Sequence, residues 1–543
     1  MSTEGEKLIE IWLDSASERE YQFGFRSALI FSGYKVLHDT SHTSLELGKD
    51  IIAINPDGDV FAYQLKGNPD GRITISQWHS LLPQINALVY HPLSHPNLRA
   101  GTPYQPYLVT NGEIHEDVLA AIAAYNAEII ASGRNVRPLQ TIARGELLSM
   151  FVAQSAKIWP VDIEAQREIL NLLASSGHDC LPQKNFSTLV ERILGFNDDA
   201  AKFKVERIAS AHLVTAIIAA NWSRNNNLYE VAKIYTLLYA KMAAYLSRSN
   251  AKGKAGRSFV TDVEFNIWST ALDFIKWVKD NFDQRPLTRN ILQEFSYYHL
   301  RKKMLIGFFA TVLLRNSPDL SSDIKDFLWR FVCRGDASRF LAGEFIIPFC
   351  LAHYWASSNF QGTLRPDAEL IGILNTILTA NSADDVRGHL PGPYYNAVDV
   401  IEWSHQEFLG RTNVDLEYDS HHERSWFSEA IFYLMVRRNY KKSCQLHWYR
   451  LTKFLHMETK LDNDWEFALN SSVNARHRDK QIKVPQSWSD VVETASEERM
   501  PNIPPLMLEN PLIVLLFCLF VPYRMNFDVV MWLDRQFIKE SWY

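Results

Sequence analysis

Gly48-Lys49-Asp50-Ile51-Ile52-Ala53-Ile54-Asn55-Pro56-Asp57-Gly58-Asp59-Val60-Phe61-Ala62-Tyr63-Gln64-Leu65-Lys66 reads as two strands and the turn that joins them. Asn-Pro-Asp-Gly suits a type I turn, with proline's fixed φ at the second position and glycine where φ must turn positive. A loop of Pro56-Asp57-Gly58, with Gly58 as the bulge residue, sets Asn55 opposite Asp59 and Asp50 opposite Gln64. Opposed side chains share one face of the sheet with Cβ atoms about 5 Å apart. The two-residue period of a strand adds Lys66 to that face. A carboxylate, an amide oxygen and an ammonium are therefore expected together at one end of the hairpin.

Those three groups suit phosphodiester hydrolysis. A hard divalent cation on oxygen ligands polarises a phosphate and lowers the pKa of an attacking water. Asp50 is the expected anchoring ligand and the Gln64 amide oxygen a second one. Lys66 is placed to stabilise negative charge building on phosphorus. The alternative is a polar patch on a half-exposed sheet with no chemistry.

Outward from the hairpin, residues 17–33 read as a helix. Ser17 followed by Glu20 makes a capping box, and Tyr21, Phe25, Ala28 and Leu29 recur at helical spacing. Gly33 ends it, and Tyr34-Lys35-Val36-Leu37 is the first strand. Ser76–Val89 follows as a helix carrying Pro83, then a strand Pro106–Thr110, an alanine-rich helix Ile114–Ile130, and a closing segment Arg137–Phe151. The expected fold class is an α/β domain, a mixed sheet flanked by helices, over residues 1–155.

The spacing resembles the PD-(D/E)xK, or restriction-endonuclease-like, nuclease superfamily in its D-QxK variant. Mrr-like enzymes and the nuclease domains of antiphage effectors of the CBASS and Lamassu kind are similar. Gly48-Lys49-Asp50-Ile51 resembles the family's G-x-D-[IV] step and Tyr63-Gln64-Leu65-Lys66 its YQxK strand. Tyr21-Gln22 resembles its helical YQ step, and Leu108-Val109-Thr110-Asn111 its later strand. The resemblance implies a metal-dependent endodeoxyribonuclease that uses Mg²⁺, with Mn²⁺ able to substitute, on double-stranded DNA. Asp50, Gln64 and Lys66 would be catalytic, with Asp50 and Gln64 as metal ligands joined by Gln22 or Glu18 from the first helix. Glu20 is occupied by capping. Gln64 stands where glutamate is commoner, which removes one negative charge from the metal site. A setting in prokaryotic antiphage defence follows, with control through a homo-oligomer or a partner such as an SMC-like ATPase. A catalytically inactive nuclease-like scaffold is the alternative.

From about residue 160 the pattern becomes helical, in segments such as Ala201–Trp222, Val231–Leu246, Val263–Phe282, Leu292–Leu314, Leu320–Val332 and Ser425–Val436. The expectation is an all-α C-terminal region over 160–543 that serves as sensor or assembly module. The charged stretch 460–500 marks a break that would divide it in two. The chain has 543 residues and a net charge of −6. Residues 1–155 hold 11 Lys and Arg against 17 Asp and Glu, so the acidic excess lies wholly in the proposed nuclease domain. DNA-binding modules are usually basic, which calls for positive surface from elsewhere.

The five cysteines are far apart, with no CxxC, which fits a reducing cytoplasm rather than a zinc ribbon. Leu512–Val521 is about half the length of a membrane-spanning helix and reads as buried. His421-His422-Glu423 lacks a second ligand pair, and the basic stretch Ser247–Arg257 reads as an exposed loop without a P-loop ending. Trp268, Phe274 and Trp277 read as core.

Overall fold

The computed structural model describes residues 4–39, 49–68, 71–93, 95, 97–99, 101–133, 136–155, 163–196, 203–251, 254–281, 321–334, 344–358, 366–380, 424–453, 455–469, 477–483 and 487–538. Contacts within the chain divide it into two compact units, Met1–Thr270 and Ala271–Tyr543.

The first unit begins with α1 (Glu4–Ser15), α2 (Glu18–Phe31), β1 (Lys35–Asp39), β2 (Ile51–Ile54), β3 (Val60–Lys66) and β4 (Arg72–Ile73). It continues with α3 (Ile75–Tyr90), β5 (Tyr104–Thr110), β6 (Glu113–Ile114), α4 (Glu116–Ala131), β7 (Gln140–Ile142) and α5 (Arg144–Ser155). The five-stranded sheet has the order β1-β2-β3-β5-β7. Its first three strands are antiparallel, while β3/β5 and β5/β7 are parallel. Parallel neighbours need a crossover rather than a tight turn, and α3 and α4 supply it. The sheet is mixed and flanked by helices, as the pattern of elements implied.

The hairpin forms in the expected register: Ile51 faces Tyr63 and Ile54 faces Val60. Gly58 has φ +91°, and the Asp59 amide donates to the Asn55 side chain at 2.7 Å. The residues of β3 then alternate between two layers. Val60 and Ala62 join Ile52, Trp78, Ile85, Leu88, Leu108 and Val118 in the core shared with α3 and α4. Tyr63 turns to the other side, where its ring meets Phe25 of α2 edge-on at 5.2 Å. Each such fully buried apolar side chain contributes about 1.5–3 kcal/mol, so both layers pin the strand.

Helices α6 (Ile163–Ala174), α7 (Gln183–Leu194), α8 (Val205–Arg224), α9 (Leu228–Arg248) and α10 (Lys254–Asn281) follow. The expected helical region starts at 160, yet α8 packs along α2 and α5 within the first unit. Phe23 of α2 stacks on His212 of α8 at 3.8 Å, and Arg26 of α2 meets Asp262 of α10 at 2.7 Å. Of the basic stretch Ser247–Arg257, Lys254–Arg257 is the first turn of α10 rather than loop.

The second unit is largely helical, with helices at Ser322–Arg334, Ile347–Ser358, Pro366–Ala380, Ser428–Arg437, Lys441–Leu451, Trp488–Ser496, Pro511–Phe520 and Phe527–Phe537. It is not all-α. Strands β8 (Arg424–Ser425), β9 (Leu455–Thr459) and β10 (His477–Gln481) form a sheet ordered β10-β9-β8. Apolar alternation does not announce them, because the buried positions of β9 are His456 and Thr459 and β10 reads His-Arg-Asp-Lys-Gln. The helix Pro511–Phe520 buries Ile513 to Phe520 as expected, and among the described residues no helix is long and apolar enough to cross a membrane. Leu292–Leu314 and His421-His422-Glu423 lie outside the described residues, as does Gly48.

Candidate active site

Asp50 sits one residue before β2, and its Oδ2 accepts two hydrogen bonds of 2.6 Å, from the Gln64 side-chain amide and from the Leu65 main-chain N–H. The predicted facing of Asp50 and Gln64 is thus met by direct contact. The same Gln64 nitrogen lies 3.4 Å from the Leu65 carbonyl oxygen. Two oxygens of different origin are therefore aimed at one nitrogen. Gln64 is buried, whereas Asp50 and Lys66 are half-exposed.

Lys66, at the end of β3, turns its Nζ to Glu18 Oε2 at 3.4 Å. The Gly67 amide points to the same oxygen, also at 3.4 Å. A side chain at position 67 would put its Cβ 2.7 Å from the Glu18 nitrogen, so glycine is what lets the strand end approach the start of α2. Of the two first-helix candidates, Glu18 is the one tied to Lys66. Gln22 lies one turn further along α2 and is half-buried.

Tyr21 fixes this arrangement. Its hydroxyl accepts from the Lys66 amide at 3.0 Å and donates to the Val109 carbonyl at 3.2 Å, tying α2 to both β3 and β5. Burial raises its pKa well above the usual phenol value, and the charges of Glu18 and Asp50 raise it further. Contacts to the adjacent Leu65 and Lys66 set Asp50 and Glu18 at the same end of the sheet. The hydroxyl keeps its proton and its donor role at any physiological pH.

Asn111, just after β5, is 2% exposed. Its amide donates to the Leu13 and Ala16 carbonyls, both at 2.8 Å, and its oxygen accepts from the Asn68 N–H at 2.8 Å. This saturated amide holds the α1–α2 junction against the turn that follows Lys66. Glu20 closes the expected capping box by accepting from the Ser17 amide at 2.6 Å. It also meets Arg224 of α8 at 2.7 Å, while that guanidinium donates to the Ser15 carbonyl at 3.1 Å. Neither Asn111 nor Arg224 is placed at the site by spacing alone, since both act through tertiary contact.

Lys49, beside Asp50, leaves the cluster. It is buried, with Nζ donating to the Ala87 carbonyl of α3 at 3.2 Å and lying 5.4 Å from the Tyr104 ring centre. Burial lowers its pKa to about 8.

The donor set suits a hard cation. A half-turn of the Gln64 amide exchanges its nitrogen for oxygen, a choice that side-chain shape alone does not fix. Asp50 Oδ2, Gln64 Oε1 and the Leu65 carbonyl would then be three neighbouring oxygens. Among the described residues no three His, Cys, Asp or Glu side chains gather as a metal site, so a cation here would depend on amide and main-chain oxygen. Comparisons with protein-family models, with curated proteins and with solved structures find no match for this chain.

Proposed function

We propose that the chain is a metal-dependent DNA endonuclease that hydrolyses phosphodiester bonds at the Asp50–Gln64–Lys66 cluster. One observation carries this reading: Asp50 Oδ2 and the Leu65 carbonyl converge on the Gln64 amide beside the Lys66–Glu18 pair. Asp50, Gln64 and the Leu65 carbonyl would hold Mg²⁺ or Mn²⁺, which when bound polarises the phosphate and eases deprotonation of water. Lys66 supplies a fixed positive charge for the phosphate oxygens. Glu18 orients that ammonium and is the first-helix carboxylate of the site. Tyr21 and Gly67 keep α2 close enough for Glu18 to do so. The setting that follows from the resemblance is antiphage defence, with activity governed by assembly or a partner.

A second reading is an inactive nuclease-like fold used for interaction. It is favoured by the way Gln64 satisfies Asp50, and Glu18 satisfies Lys66, with no ligand needed. Plasmid cleavage by purified full-length protein, with Mg²⁺ or Mn²⁺ and then with chelator, decides between the two. Cleavage should require the metal and fall by at least about 10²-fold in Lys66→Ala. Asp50→Asn is preferred to Asp50→Ala, because alanine also leaves the Leu65 N–H without its acceptor, at about 1–3 kcal/mol. Wild-type rates in folded Lys66→Ala and Asp50→Asn would remove the assignment, and metal-independent inertness of the wild type would leave the scaffold reading.

A further inference from the structure

The second unit carries positively charged surface. Between Glu429 and Glu458 the chain contains six Lys and Arg residues and no Asp or Glu. Arg437 and Arg438 are consumed by the buried Asp534, at 2.9 and 2.6 Å. The other four, Lys441, Lys442, Arg450 and Lys453, lie on or just beyond the helix Lys441–Leu451. Among the described residues none of these four pairs with a carboxylate: Arg450 reaches the Thr379 hydroxyl at 3.5 Å, and Lys441 lies 5.9 Å from the Trp488 ring centre.

Some exposed residues of this helix form a stripe. Lys442, Leu446 and Tyr449 follow one another at intervals of four and three, which stacks them on one face, and Lys453 lies in the turn just past the helix end. All four are exposed, Leu446 to 77% and Tyr449 to 67%. Lys453 Nζ lies 4.5 Å from the centre of the Tyr449 ring. Trp448 faces inward instead, with its ring 4.7 Å from that of Phe432. At 1.5 Å per residue the helical part of the stripe, Lys442 to Tyr449, is about 10 Å long. That is roughly three base steps of a nucleic-acid strand at 3.4 Å each.

We propose that this stripe is a nucleic-acid docking surface, with Lys442 and Lys453 holding backbone phosphates at its ends and Tyr449 stacking on a base between them. Cations flanking an exposed aromatic ring match a polyanion that also offers flat apolar faces. An anionic membrane surface would ask for a continuous apolar face, and here two isolated side chains stand between lysines. The surface also meets a need of the proposed nuclease, whose catalytic region carries an acidic excess. The proposal rests on that reading only for nucleic acid being the ligand, not for the chemistry.

The test measures binding of a labelled dT₂₀ strand and a 20-base-pair duplex to full-length protein by anisotropy, with chelator present so that no cleavage occurs. Lys442→Glu/Lys453→Glu should weaken binding of both probes by roughly tenfold or more and flatten the dependence of log affinity on log salt by about 1.5 to 2. Tyr449→Ala should weaken the single strand by roughly tenfold while changing the duplex little, and Tyr449→Phe should restore it. All three positions are exposed, so folding is retained and is checked by circular dichroism. Wild-type affinity and salt slope in the double variant would overturn the proposal. So would tight binding to phosphatidylserine vesicles that dT₂₀ cannot displace. Asp50→Asn should bind both probes normally under chelation. If the stripe variants lose binding while no metal supports cleavage, the nuclease reading alone fails. If cleavage is metal-dependent and the stripe variants bind normally, this inference alone fails.

Discussion

At the scale of single residues, Gln64 is the most informative side chain. Its amide bridges two acceptors that would otherwise repel one another. Gln64→Glu replaces that bridge with a second carboxylate about 2.6 Å from Asp50. Like charges at that distance cannot both ionise without a cation between them. The variant should therefore be less stable than wild type in chelator by about 1–3 kcal/mol. It should recover with Mg²⁺ or Mn²⁺, and the metal should raise its melting temperature more than it raises that of wild type. Thermal melts with and without metal give the comparison, independently of any cleavage assay. An equal response of the two proteins would remove Gln64 and Asp50 as a metal pair. Tyr21 teaches a related lesson: the tyrosine of a sequence step that suggests chemistry is here a fastener, holding two strands and a helix through one hydroxyl.

At the scale of elements, the position of α2 decides whether Glu18 reaches Lys66, and Arg224 of α8 grips the start of that helix. Arg224→Ala leaves Glu20, whose side chain is 4% exposed, with only its capping contact. Because the arginine itself is 44% exposed, solvent screening reduces the cost to about 1–2 kcal/mol. Cleavage should drop in kcat more than in KM, with partial rescue by Arg224→Lys. Unchanged melting and unchanged rates would show the contact to be idle. The hairpin itself was legible to the residue, since turn chemistry and strand alternation are local. Helix α1 carries a readable signal too, in Ile9, Trp12 and Leu13 at helical spacing, all of them buried. That Glu18 is the first-helix residue tied to Lys66 was not legible. It depends on the rotation of α2 against the sheet, which is held by contacts to Val109 and Asn111, 88 and 95 residues along the chain from their partners. Strands β9 and β10 escape notice because the buried residues of β9 are the polar His456 and Thr459 and β10 has no apolar residue.

At the scale of the whole molecule, the proposed catalytic residues and the elements that steady them are far apart in sequence. Residues 1–155 contain Glu18, Asp50, Gln64 and Lys66, but α2 is covered by α8 and α10. Without them Phe23 loses His212, and Arg26, 2% exposed in the intact unit, loses Asp262. A fragment 1–155 should therefore melt without a cooperative transition or aggregate, whereas 1–281, ending with α10, should fold as a compact unit. Circular dichroism melts of the two fragments check this, and a cooperative transition for 1–155 would show α2 to be stable uncovered. The packing of α2 under α8 also sets a timetable for synthesis. A growing chain leaves the ribosome with every proposed catalytic side chain between residues 18 and 66, yet Arg224 follows some 150 residues later. At about 5–20 residues per second that is a delay of roughly 10–30 s. On the proposed reading, a prematurely released or half-made copy would carry these groups without the contact that steadies α2, and its own order of translation would keep it idle.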